Sequence, residues 1–444
     1  MARTVILVNL HLTSCIPDSF GEITLMQRFL VMFLILTSAI TLAAEPETWP
    51  QWRGPNRDCQ LTPTSWPTTL GEESLQQAYR VNLGDSYSGP IVIADRVFVT
   101  ETVNKNEVTR ALDRATGKEI WKAEWSASMT VPFFAAANGS WIRSTPAFAD
   151  GRLFVASMED VLVCLNAVDG NELWRKDFRT EFGTGNQSFG FACSPLVENS
   201  HVFVQSAAGL VKMDCATGKT IWRSLNEEGG MMGGAFSSPV VATVAGKRQL
   251  VVQTRQQLAG VDIDSGFVLW SVDVKAFRGM NILTPTVIGD QIYTSSYGGG
   301  SSLFEVSQQS GAFSVAEKWT AKAEAYMSSP VVVDGKIYVH LRNQRVTCID
   351  PASGESPWTT KPFGKYWSMV ANGSNVLALD ERGDLLLLDL NAKEFVRVDS
   401  RHLTDSPTWA HLAVVDNEIF VRDLKGLTVY HWSSAQSTAG HVTP

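Results

Sequence analysis

An eleven-residue hairpin, Ala111-Leu-Asp-Arg-Ala-Thr-Gly-Lys-Glu-Ile-Trp121, recurs along the chain and limits its fold more than any other feature. It reads as a strand ending in Asp113, a tight turn at Ala115-Thr116-Gly117 and a second strand carrying Trp121. The glycine supplies the positive φ that closes the turn, and Thr or Ser bonds locally to the backbone. Further copies run from Cys164 to Trp174, Lys212 to Trp222, Gly260 to Trp270 and Cys348 to Trp358. Degraded copies run from Glu305 to Trp319 and from Leu387 to Phe395.

Each repeat opens with a small residue and a proline ahead of an apolar strand: Ser88-Gly-Pro90, Ser144-Thr-Pro146, Cys193-Ser-Pro195, Ser237-Ser-Pro239, Leu283-Thr-Pro285 and Ser328-Ser-Pro330. Trp367-Ser-Met369 and Ala410-His-Leu412 occupy the same place without the proline. The eight openings stand 39 to 56 residues apart. Four short strands in such a period are the signature of a β-propeller blade. The expected fold is therefore all-β, an eight-bladed propeller of four-stranded antiparallel blades. The eighth unit runs out at Leu427-Thr-Val-Tyr-His-Trp432 with no fourth strand, and Leu75–Leu83 has no hairpin partner before it. The N-terminal strand is expected to complete the last blade and remove the open edges. The recurrent tryptophans, Trp121, Trp174, Trp222, Trp270, Trp319 and Trp358, fall on outer strands, where an indole can wedge between blades and bond to a turn. Their expected role is structural docking.

The propeller is expected over 75–432, between a Trp/Pro-rich loop segment at 45–74 and a polar tail at 433–444. Phe29–Leu42 is an uncharged apolar run after Arg28 and before Ala43-Ala44. That length is short for a membrane span and suits a signal-peptide core, so 1–44 is read as a signal region with translation starting at Met1 or Met26. An uncleaved anchor, or lipidation within Leu12-Thr-Ser-Cys15, is the alternative; a mature start near Glu45 would exclude both. The expected location is periplasmic or secreted, with no transmembrane span in the mature chain.

A net charge of −8 argues against nucleic-acid partners, whose binders are basic. None of the six cysteines forms a C-x-x-C, and they are read as buried small hydrophobes. There is no Gly-x-Ser-x-Gly or His-Glu-x-x-His, and the seven histidines are scattered. Gly298-Gly-Gly-Ser-Ser302 lacks the lysine and helix of a phosphate loop.

Written as Ala-x-Asp-x-x-Thr-Gly-x-x-x-Trp, the hairpin resembles the tryptophan-docking motif of pyrroloquinoline quinone (PQQ)-type eight-bladed propellers, and the likeness covers about 75–432. The resemblance admits two functions, quinoprotein dehydrogenase or scaffold of the outer-membrane β-barrel assembly machinery, the scaffold branch, a lipoprotein, being the nearer. The dehydrogenases use adjacent cysteines, a calcium held by Glu and Asn, and an Asp base; this chain has no Cys-Cys pair. No cofactor is expected, PQQ with calcium belonging only to the dehydrogenase alternative. Trp49-Pro-Gln-Trp-Arg-Gly-Pro-Asn-Arg-Asp58 also resembles an N-terminal motif of secreted members of the superfamily, in which Gly usually stands where this chain has Cys59.

The loops entering the innermost strands carry large side chains: Tyr87, Trp141, Phe189 or Phe191, Phe236, Met280, Tyr326, Trp367 and Trp409. Rotational equivalence places them on one face around the channel. Asp85, Arg143, Asn186, Gln187, Arg278, Asn281 and His411 accompany them. Aromatics with convergent polar groups suit a protein, peptide or glycan partner in the cell envelope. The same rings could instead fill the channel as core. The expectation is a monomeric binding or interaction scaffold.

Overall fold

The structure is a computed structural model that describes residues 48–433, apart from 64, 128, 186, 207–208 and 228–233. The signal region, Met26 and Cys15, and all of the tail beyond 433, lie outside the described residues. Eight antiparallel sheets follow one another along the chain as the blades of a ring. In blade 1 the strands are Ile91–Ile93, Arg96–Val103, Asn106–Asp113 and Glu119–Ser126, in that order from the channel outward. Most innermost strands are three residues long, although Val240–Val244 and Trp367–Asn372 run to five and six. Middle strands such as Val161–Asn166 are buried on both faces, between neighbouring blades. Outer strands alternate: in Glu119–Ser126 only Trp121 and Trp125 point inward to full burial, the period of two that one solvated face demands.

The turn chemistry explains the motif. Asp113 Oδ1 accepts from Thr116 N at 2.8 Å and from Thr116 Oγ1, while Gly117 at φ +70° donates to Asp113 O at 2.8 Å. The same bonds join Asp214 to Thr217 and Asp262 to Ser265. In the blades with a paired outer strand a β-bulge precedes the docking position, as at the register shift between Ala111 and Leu112, where it turns Trp121 toward the next blade.

Blade 8 is closed as expected. Leu75–Asn82 pairs antiparallel with Gly426–Trp432, and its own bulge sets Tyr79 opposite Val429, the place Trp121 holds opposite Ala111. Blade 6 is the least complete. It has three strands, and its outer edge is reduced to the bridge Thr347–Thr359.

Five docking tryptophans reach the following blade. Nε1 of Trp121, Trp174, Trp222, Trp319 and Trp358 donates to Ala167, Cys215, Asp264, Pro351 and Asn391 carbonyls at 2.7–3.1 Å. Trp121 lies so close over Gly170 that a Cβ there would stand 2.5 Å from the indole. Trp270 departs from this pattern and bonds Gln249 Oε1 of its own blade at 2.7 Å. Its cross-strand partner is Gly260, whose missing side chain leaves room for the indole to fold back, and nothing lies above Gly311 in the next hairpin. In blade 7 the slot holds Asp399, which accepts from Leu70 N at 2.6 Å and Thr69 Oγ1 at 2.7 Å.

Candidate functional site: an aromatic funnel with a closed floor

The pre-proline positions form a belt around the channel. Gly89 N donates to Thr145 Oγ1, Thr145 N to Ser194 Oγ, Ser194 N to Ser238 Oγ and Ser238 N to Thr284 Oγ1, each at 2.9–3.1 Å. Each bond joins one blade to the next, so the small-residue-then-proline pattern is a ring of hydroxyl acceptors. Trp367 N to Ser328 Oγ and Leu412 N to Ser368 Oγ continue it with the direction reversed.

Above this belt opens a funnel of about 1330 Å³, mouth included. Of the residues singled out in the sequence, Tyr87, Arg143, Phe236, Tyr326, Trp367, Trp409 and His411 line it, as do Phe189 and Met280. Tyr87 stacks on Trp409 at 4.3 Å between centroids, and Tyr366 meets Trp409 at 4.2 Å. Trp409 Nε1 donates to Glu381 Oε1 and Trp367 Nε1 to Asp380 Oδ2, at 2.7 and 2.9 Å, which fixes both indoles. Trp141 stands behind Tyr87 as an edge contact at 5.3 Å and does not line the funnel.

Gln187 and Asn281 are buried away from it. Gln187 Nε2 donates to Asp160 Oδ1 and Asn281 Nδ2 to Arg255 O. Phe191 belongs to the core between blades 2 and 3, Asp85 pairs with Lys425 at 2.6 Å, and Arg278 lies over Phe277. Asn186 lies outside the described residues. Tyr366, Asn138 and Trp52 also line the funnel, although they lie outside the loop positions expected to face it. Tyr366 adjoins a selected residue, and Trp52 lies in the N-terminal motif already noted.

Trp52 belongs to a plug. The segment Trp49–Leu61 crosses the channel beneath the funnel and bonds to the innermost strands. Trp49 exchanges two backbone bonds with Val92, Pro50 O accepts from Phe148 N, and Cys59 O and Leu61 N bond Ala371. Arg57 donates to Pro195 O at 2.7 Å and Ser194 O at 3.0 Å; Arg53 donates to Pro330 O. Both arginines are buried, and both guanidiniums lie 5.5 Å from the Trp52 ring. Burial pushes Arg57 down to about 10. Cys59 has φ +62°, a backbone suited to glycine, and its thiol accepts from Arg53 Nε at 3.0 Å.

His411 is the one histidine in the described lining. Its Nδ1 donates to Leu412 O at 2.9 Å, so Nε2 is the acceptor, facing the Cys59 thiol at 3.3 Å. Burial pushes it down to about 4, and it is neutral at pH 7. Among the described residues the one base–nucleophile contact at the funnel is this His411–Cys59 pair. Burial pushes the thiol up and the imidazole down, so both stay neutral, while Cys59 does not line the funnel and the belt hydroxyls serve backbone amides. No carboxylate lines the funnel among the described residues, and they hold no cluster of three His, Cys, Asp or Glu side chains. Calcium needs several oxygen ligands, carboxylates foremost, so this lining does not fit a calcium-bound quinone.

A family model described as outer membrane protein assembly factor BamB matches residues 104–360. The outer membrane protein assembly factor BamB of Yersinia pestis is 23% identical over 393 residues, covering 85% of this chain and 90% of that protein. The crystal structure of BamB from Moraxella catarrhalis aligns over 82% of this chain and 99% of its own with a TM-score of 0.57 and 15% identity. The quinohemoprotein alcohol dehydrogenase of Comamonas testosteroni aligns over 91% and 84% with a TM-score of 0.60 and 12% identity. At such identities the structural likeness carries the fold alone.

Proposed function

The chain belongs to the family of the outer membrane protein assembly factor BamB, and from that premise we propose that it is an extracytoplasmic scaffold whose funnel binds a polypeptide of the cell envelope. The observation that carries this reading is the funnel wall. Rigidly oriented aromatic rings from blades 7, 8 and 1 converge on an open mouth, where Tyr87, Tyr366 and Trp409 give apolar area at little entropic cost. Hydroxyls spent on the belt and a histidine with both nitrogens engaged argue for binding over chemistry. No helix among the described residues is long and apolar enough to cross a membrane. Export through the signal region at 1–44 would place the chain in the envelope.

The test immobilises the mature chain and its Trp409→Ala variant and incubates each with an envelope extract. Retained proteins are identified by mass spectrometry, beside a dye-reduction assay with added quinone and calcium. A defined partner held by the wild type and lost by the variant is expected, without dye reduction. Dye reduction by the purified protein would establish the dehydrogenase reading instead. Equal retention by both forms would remove the funnel from the interaction.

A further inference from the structure

We propose that the funnel receives the free carboxylate end of an apolar polypeptide, seated against Arg143. This deepens the reading of the funnel as a polypeptide site and rests on it. Arg143 is the only formal charge in the described lining. Its Nε and Nη2 donate to Trp141 O at 3.3 Å and Gly139 O at 2.9 Å, backbone carbonyls of its own loop. Among the described residues it makes no ion pair, and its guanidinium lies 5.9 Å from the Tyr87 ring. Burial pushes it down to about 10, and Tyr87 is the group that acts the other way. A desolvated guanidinium served only by neutral acceptors is costly until an anion completes it, and a carboxylate matches its fork.

The surrounding acids are spent elsewhere: Asp85 on Lys425, Asp380 on Trp367, Glu381 on Trp409. They orient the wall and leave the cation uncompensated.

Two observations select a chain end over an internal segment or a small acid. The plug closes the floor with Trp52, so an extended chain entering the funnel has to stop there. The mouth is extended outward by a short 3-10 turn, Phe133–Asn138, whose Phe133 is 90% exposed and Phe134 61%. Phe134 meets the funnel residue Phe189 edge-on at 6.2 Å, so apolar surface continues beyond the reach of a small molecule. A body of several residues would cover it. Capture of a terminal carboxylate is a recurring mode of peptide recognition.

Calorimetric titration of the mature chain tests this with the hexapeptide Gly-Ser-Gly-Leu-Tyr-Phe as free acid, the same peptide as C-terminal amide, and 3-phenylpropionate. The acid is expected to bind about tenfold more tightly than the amide, as one charge-assisted bond implies. Arg143→Gln, checked for an unchanged melting temperature, erases that difference by weakening the acid alone. Phe133→Ser with Phe134→Ser weakens acid and amide alike. Equal binding of acid and amide, or binding of neither, overturns the proposal. Phenylpropionate binding as tightly as the peptide overturns the chain end in favour of a small acid. Should the peptides fail while Trp409→Ala still loses its envelope partner, the carboxylate inference falls and the scaffold reading stands.

Discussion

At the scale of single residues, the docking position shows how much a side chain's role depends on what faces it. Trp121 is 8% exposed and Trp270 5%, yet they do different work. Trp121 covers Gly170 and bonds across the blade boundary, whereas Trp270 covers its own blade's Gly260. Truncating either leaves a large void, so Trp121→Ala and Trp270→Ala should each cost about 3–5 kcal/mol in urea denaturation. The two should separate in hydrogen exchange. Trp121→Ala is expected to speed exchange in the Asn166–Gly170 turn of blade 2, while Trp270→Ala leaves the Gly311 turn of blade 5 as it was. If both variants loosened the following blade equally, the distinction drawn from the indole bonds would be wrong. The sequence marks all six tryptophans alike because spacing is blind to the facing residue; Gly260 was the available sign that one of them folds inward.

At the scale of elements, the blades were legible because their chemistry is local. Asp, Thr and Gly in an Asp-x-x-Thr-Gly run meet within one turn, and the strand alternation needs only its own face. The funnel wall was legible at one remove, since equivalent loops of a ring converge. What it rests on was not. The plug has no period, and Arg53 and Arg57 find their carbonyl partners 277 and 138 residues away, in blades 6 and 3. Gln187 and Asn281 were misplaced for a related reason: a polar residue beside the channel can face an orphaned backbone or side-chain group as readily as the lumen. The hydroxyl belt shows the converse, a visible pattern whose purpose emerges only when the blades are assembled. Ser194 both accepts from Thr145 N and donates its own amide to Ser238 Oγ. Ser194→Ala removes the acceptor and leaves a buried amide unpaired, a loss of about 1–3 kcal/mol. Equilibrium unfolding measures it, and an unchanged midpoint would mean that the belt bonds are replaced by other partners.

At the largest scale the propeller is a ring with one seam, and the seam is where its stability is most exposed. The chain itself crosses every blade boundary, since residues 83–90 lead from Leu75–Asn82 of blade 8 into blade 1. Blade 8, however, is assembled from both ends of the propeller segment, and only non-covalent strand pairing joins its two parts. Tyr79 stands in for the tryptophan there. Its ring covers Gly117 of blade 1, where a Cβ would fall 2.5 Å from it, although its buried hydroxyl finds no hydrogen-bond partner among the described residues. The next residue, Arg80, pairs with Asp423 at 2.6 Å, and the Asp423 side chain is wholly buried. Removing both groups would open the seam twice over, by emptying the dock on blade 1 and by stranding a carboxylate that no longer has its cation. A ring so loosened becomes a linear array with an unpaired strand edge at Gly426–Trp432 and a bare face on blade 1. The double variant Tyr79→Ala, Arg80→Ala is therefore expected to unfold in more than one step and to elute earlier than wild type from a sizing column as its concentration rises. A lesion of similar size away from the seam, Trp174→Ala, should lower the melting temperature without that association, because blades 2 and 3 are each built from one continuous stretch of chain. If the seam variant unfolded in one transition and eluted as wild type does, closure would be carried by the backbone pairing of Leu75–Asn82 alone, and the Tyr79 dock would be dispensable.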